Sequence, residues 1–190
     1  MNLVERAQRL LLTPRTEWEV IDTEPHAVQG LFTGYVMILA AIPAVSNFIG
    51  YCVVGLGGVR LPMSYGVTLL VITYAMGLAT VYLLALAVDA LAPHFGASRS
   101  FAQAMKVSAF APTAAWIAGV FQAVPYVSIF SLVGALYSVY LLYLGLPKLM
   151  KPGDGQAMGY LAVVTIAALV LWVFAAGLQY LAIPPALRGF

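Results

Sequence analysis

The chain has 190 residues, 63% of them hydrophobic and 8% charged, with a net charge of +2 and a mean hydropathy of +0.95. A soluble domain carries about 25% charged residues, so this chain cannot clothe a water-facing surface, and lipid must be its main solvent. So small a net charge, with no basic run, excludes a nucleic-acid surface, and a single cysteine, Cys52, excludes an internal disulfide or a thiolate metal cage and reads as a packing residue.

The first 29 residues read as a cytoplasmic segment. In NLVERAQRLL, Leu3, Ala7, Leu10 and Leu11 share a face, while Glu5, Arg6, Gln8 and Arg9 point away. That pattern predicts an amphipathic helix lying on the membrane surface. Thr13-Pro14 restarts the chain, with Thr13 as N-cap and Pro14 at the first helical position, and Trp18 falls at headgroup depth. The early apolar run Leu10-Leu11-Leu12 is too short for a signal-peptide core, so the first span is expected to be retained.

A spanning helix needs about 20 mostly apolar residues. Five stretches qualify: Gly30–Gly55, Tyr65–Leu91, Phe101–Ala123, Pro125–Pro147 and Tyr160–Ile183. The expected fold is therefore an all-α polytopic bundle over residues 30–183, preceded by the amphipathic helix and followed by a short extracytoplasmic tail, 184–190. Gly30 and Gly34 form a GxxxG match that invites close helix approach, either within the bundle or between two copies. Pro43 predicts a kink in the first span. Ser100 with Gln103 reads as a capping box opening the third, and Pro152-Gly153-Asp154-Gly155 as a turn between the last two. With the N-terminus in the cytoplasm, seven basic residues lie inside and only Arg60 and Arg188 outside, as the positive-inside tendency requires.

The fourth span carries Tyr137, Tyr140 and Tyr143, three phenols within one 120° sector of a helix. Tyr137 is about 18 Å from Pro125 and about 15 Å from Pro147, near the midplane, where an unpaired hydroxyl costs a few kcal/mol. Spans three and four are joined so tightly at Val124 that they form an antiparallel hairpin, with Tyr137 level with Pro112. That proline removes the N–H that would bond the Ser108 carbonyl, and the stripe is expected to face the break and satisfy it. Asp89 and Lys106 come to similar depth, close enough to pair, with Gln103 alongside; the alternative is a lysine that snorkels to the interface and a helix-terminal aspartate that meets cytoplasmic water. Charges inside spans are functional-site candidates by default, so Asp89, Gln103, Lys106, Pro112, Tyr137, Tyr140 and Tyr143 are read as lining one polar pocket open to the cytoplasm. His26 and His94 are loop residues without a second ligand at metal-binding spacing. No metalloprotease, nucleophile-elbow or phosphate-loop motif occurs, so neither an enzyme nor a cofactor is expected.

The segments TPRTEW, DALAPHFGASRSFAQAMKVSAFAPTAAW and YSVYLLYLGLPKLMK together resemble the bacterial branch of the Yip domain family, the Ypt/Rab-interacting membrane proteins. The likeness runs from about Leu11 to Leu181 and is most specific where the tyrosine run enters GLPKLMK. It implies five spans with a cytosolic N-terminus, and importance for Asp89, Pro93, Gly96, Lys106, Pro112, Tyr140, Tyr143, Gly145 and Pro147. Eukaryotic relatives bind prenylated Rab-type GTPases through a long cytosolic N-terminal region, which this chain has only as a short helix. The expected function is a non-enzymatic scaffold of the bacterial inner membrane, binding lipids or other membrane proteins through its cytoplasmic face, with a homodimer through Gly30 and Gly34 as a candidate assembly. The alternative is a small transporter or channel using Asp89, Lys106, Tyr137 and Tyr140.

Overall fold

A computed structural model describes residues 2–25, 27–55 and 59–183. Two short helices, α1 (Leu3–Leu12) and α2 (Pro14–Thr23), precede the bundle. Among the described residues five helical segments are long and apolar enough to cross a membrane. They are α3 (Val28–Val54), α4 (Met63–Leu91) with a 3-10 extension over Ala92–Phe95, a broken third span, a fourth span and α8 (Ala157–Ala182). The third span consists of α5 (Phe101–Phe110) and α6 (Thr113–Ala118), ending in 3-10 helix over Gly119–Ala123. The fourth opens with 3-10 helix over Pro125–Phe130 and continues as α7 (Ser131–Met150). The five crossings and the break at Pro112 follow the sequence reading. His26 and the tail 184–190 lie outside the described residues.

The third span is the hub. Two-thirds of its apolar window, 67%, is buried, against 11% for α8, which therefore lines the periphery. Composition explains the difference, because AMKVSAFAPTAA offers small side chains that let neighbouring backbones approach. Gly134 on α7 presses so closely that a Cβ there would lie 2.6 Å from the Ala114 carbonyl oxygen and 2.3 Å from the Ala118 Cβ. On the other side, Pro43 within α3 sits on Gly119, where an added Cβ would come within 2.9 Å. α3 is π-helical at Phe32–Val36 and Ile49–Val54, the wider turn that accommodates an extra residue inside a helix.

The N-terminal segment differs from its expectation. It is a helical hairpin docked against the bundle, not a helix free on the bilayer. Pro14 does open α2, but Thr13 makes no side-chain cap; its hydroxyl instead donates to the Arg9 carbonyl. α1 buries Arg6, Ala7 and Leu10, and α2 buries Glu17, Trp18 and Ile21. Arg6 thus joins the inward face and not the outward one. Trp18, expected at headgroup depth, is 1% exposed. Its ring packs edge-on to Phe110 and fills the notch at Gly145, where a Cβ would lie 2.5 Å from the indole. Ser100 makes no side-chain cap on α5 either, and Gln103 reaches away to Asp22, so the predicted capping box does not form. The loop after α7 turns as predicted, with Gly155 at φ +75°, and the Gly153 amide donates to the Phe95 carbonyl, tying two loops together.

Gly145 is therefore the contact on which hairpin docking can be tested with least ambiguity. Gly145→Val should cost about 1–3 kcal/mol by overpacking and, by undocking the hairpin so that its helices open, speed trypsin cleavage after Arg9 and Arg15, measured as the rate of hairpin cleavage in detergent. Gly177→Ala, at a site with nothing within 4 Å, should leave that rate unchanged.

Candidate functional site

Lys106 lies on the second turn of α5, 5% exposed. Its ammonium donates to the carbonyls of Ile21 at 2.8 Å and Glu24 at 2.7 Å, and reaches that of Asp22 at 3.5 Å. These carbonyls crown the C-terminal end of α2, where a helix runs out of amide partners and its dipole presents negative charge. An ammonium carries three donors. Lys106 thus caps, from a membrane span, a helix about 85 residues earlier in the chain. Gln103 Nε2 supports it by donating to Asp22 Oδ1 at 3.1 Å, while Lys151 pairs with Asp22 Oδ2 at 3.0 Å and Lys148 with Glu19 at 3.1 Å. The third and fourth spans together hold α2.

A second charge cluster lies inside the hairpin. Arg6, 4% exposed, binds Glu17, 2% exposed, at 2.6 Å, and also contacts Glu24. Its guanidinium lies 5.7 Å from the centre of the Phe110 ring. Buried ion pairs lose hydration, so their net stabilisation is small, but removing one partner leaves an uncompensated charge. Arg6 therefore fixes how α1 lies on α2 more than it adds stability.

The tyrosine stripe is distributed differently from the expectation. Tyr137 alone turns inward, and its hydroxyl donates to the Leu11 carbonyl of the hairpin at 2.8 Å, not to a carbonyl at the Pro112 break. Tyr140 and Tyr143 are exposed on the outer surface. Other residues serve the break. The Thr113 hydroxyl donates to the Phe110 carbonyl at 2.6 Å, Tyr35 meets that hydroxyl at 2.8 Å, and Ser138 Oγ accepts from the Ala115 amide at 2.9 Å. These bonds lie around the break, and Thr113, one residue past the proline, answers the Phe110 carbonyl and not that of Ser108.

Asp89 does not pair with Lys106, whose donors are already committed to α2. Its Oδ1 is buried without a hydrogen-bond partner among the described residues. Next to it, the Tyr160 hydroxyl donates to the Val88 carbonyl and its ring stacks on Phe95 at 5.0 Å. His94 is exposed in the adjoining 3-10 turn. Gly30 and Gly34 do not form a tight helix contact within the bundle, since a Cβ at either would meet nothing within 4 Å. They border a cleft of about 200 Å³ shared with Leu3, Arg6, Leu31, Tyr35 and Phe110.

So Gln103, Lys106 and Tyr137 converge, but on the protein's own hairpin rather than on an open pocket. Asp89, Tyr140, Tyr143, Gly30 and Gly34 lie elsewhere, and Pro112 provides the break without a stripe partner. Sequence reasoning missed Arg6, Glu17, Tyr35 and Ser138, and placed Thr113 on the face of Gln103 and Lys106 without its role beside the break. A signal existed for two of them. Leu3, Arg6, Ala7 and Leu10 follow the i, i+3, i+4, i+7 spacing of a buried face, as do Pro14, Glu17, Trp18 and Ile21.

The clamp makes a ranked prediction for hairpin release, read by trypsin cleavage at Arg9 and Arg15. Arg6→Met should be worst, by about 3–5 kcal/mol, because it strands Glu17. Lys106→Met should follow at about 1.5–3 kcal/mol, then Tyr137→Phe at about 0.5–1.5 kcal/mol. Asp89→Asn should not release the hairpin. Replacing both members of the buried pair, Arg6→Met with Glu17→Leu, should recover most of the loss, and a double variant no better than Arg6→Met would contradict the pairing.

Comparison with known proteins agrees with this architecture. The Inner membrane protein YohC of Escherichia coli strain K12 is 29% identical over 172 residues, covering 86% of this chain and 88% of its own. The same protein from Escherichia coli O6:H1 matches equally. No solved structure matches the chain significantly. The Yip1 domain matches residues 9–176, a range that takes in most of the hairpin and nearly all five spans, and the chain therefore belongs to the Yip1 family of integral membrane proteins.

Proposed function

We propose that the chain is a non-enzymatic scaffold of the bacterial inner membrane, holding a rigid helical hairpin at one face of a five-span bundle for other proteins or lipids to bind. The observation that carries this reading is the commitment of Lys106 to the carbonyls of α2. A transport site needs polar groups with spare bonding capacity facing a path. Here Lys106, a buried cation of the third span, is satisfied by the chain itself, and the hairpin lies where its pocket was expected. The excess of basic residues at the hairpin end supports a cytoplasmic location for that face. The bacterial relative, named as an inner membrane protein, supports the compartment.

Two measurements test the proposal together. Reconstituted wild-type protein should pass no more protons or small ions than protein-free vesicles. In cells, a photo-crosslinker at exposed Gln8 or Thr16 should give a discrete adduct that Lys106→Met abolishes, while one at Leu169 on the outer surface of α8 should not give it. Flux above background that responds to Asp89→Asn or Lys106→Met would overturn the scaffold reading in favour of transport.

A further inference from the structure

The cleft between α1 and the start of α3 is lined by a charged side chain whose donors the hairpin does not use up. Its volume is about 200 Å³. Leu3 and Leu31 give it apolar walls, and Arg6, Tyr35 and Phe110 complete its lining with the two glycines of α3. The glycines form the mouth. Both are exposed, and a Cβ at either would meet nothing within 4 Å, so any larger side chain there would stand in the opening. The stretch of α3 that carries Gly34 and Tyr35, Phe32–Val36, is π-helical, and such wide turns recur at functional sites.

Among the described residues, the polar chemistry of this cleft is one-sided. Thr113 gives its hydroxyl hydrogen to the Phe110 carbonyl, so the Tyr35 hydroxyl must donate to Thr113 and keeps no hydrogen for a ligand. A guanidinium carries five N–H donors. Arg6 gives one to Glu17 and one to Glu24, and the others have no hydrogen-bond partner among the described residues. With Arg6 only 4% exposed, donors left without an acceptor are costly. Two carboxylates already sit on this guanidinium, so a further anion would face like charge. A neutral oxygen acceptor would not. Gly30 to Tyr35 occupy the first two turns of α3, about 3–10 Å from its start at Val28, the band where the interfacial layer passes into hydrocarbon.

Size narrows the occupant. Pockets for drug-sized ligands measure about 300–1,000 Å³, more than this cleft provides. A helix is about 10–12 Å across with its side chains, so a second copy could lie over Gly30 and Gly34 but could not enter. It would also seal the spare donors of Arg6 away from any acceptor. We infer that the cleft seats one acyl chain of a membrane glycerolipid, its ester carbonyl oxygen accepting from Arg6 and its first methylenes lying between Leu3 and Leu31. The headgroup stays outside the mouth, so selection falls on the ester linkage and not on the headgroup. Because Arg6 fixes α1 on α2, a lipid that completes its hydrogen bonding becomes part of what holds the hairpin. The inference deepens the lipid side of the scaffold reading but stands or falls separately, since a transporter could hold this lipid and a scaffold could lack it.

Native mass spectrometry of the full chain tests this. Protein exchanged into micelles with equal amounts of diester phosphatidylglycerol and its diether analogue should retain one lipid. The diester should be favoured about ten-fold, as one hydrogen bond from a charged donor would give. Diester phosphatidylethanolamine should compete with diester phosphatidylglycerol on equal terms. Gly34→Leu enters open space and should abolish the retained lipid without changing the rate of trypsin cleavage after Arg9 and Arg15. Gly30→Leu should do the same from the other side of the mouth, and replaces the first variant if that one fails to fold. Arg6→Met with Glu17→Leu, expected to keep the hairpin docked, should still retain lipid but lose the preference for the diester. No retained lipid, equal retention of diester and diether, or a diester preference that survives in that double variant would overturn the inference. So would a preference for phosphatidylglycerol whatever its linkage, which would mean a phosphate site. Lipid undiminished in both glycine variants would place it elsewhere on the surface, and a wild-type dimer that Gly34→Leu dissociates would mean that a second copy covers the mouth; either result would equally overturn it.

Discussion

A lysine ammonium sits where water is scarce, and the rest of the arrangement follows from how its charge is met. Lys106 donates to the backbone carbonyls at the end of α2, the one place on a short helix where negative potential and spare acceptors coincide. That single contact joins the hairpin to the most buried span. Once α2 is held there, Asp22 lies within reach of Gln103 and Lys151, Glu19 of Lys148, and Trp18 of the notch at Gly145. The burial of Arg6 with Glu17 then fixes α1 on α2. Each polar contact is modest alone, but together they leave the hairpin little freedom to lift.

The same contact explains why Lys106 has no donor left for a ligand. In a bundle whose third span is broken at Pro112, free carbonyls and a lone cation would invite water. Here Thr113, Tyr35 and Ser138 hydrogen-bond around the break, and the cation is met by the hairpin. Asp89 stands apart at the end of α4, next to Tyr160 and the joined loops. The polar residues of this chain thus serve two separate purposes, and their proximity along the membrane normal is not proximity in space.

The five spans and the break were legible in the sequence, because a long uncharged run has one good solution in lipid and a proline cannot donate its missing N–H. The inward face of each hairpin helix was also written in its spacing, although Arg6 and Glu17 disguised it by being charged. What the linear pattern could not say is which distant group answers which polar atom. Tyr137 reaching Leu11 and Lys106 reaching Ile21 span 126 and 85 residues respectively, and nothing local encodes such separations. Hydropathy acts residue by residue along the helix axis and so determines depth. The choice of partner around that axis depends on rotation and packing, and only the assembled bundle decided it.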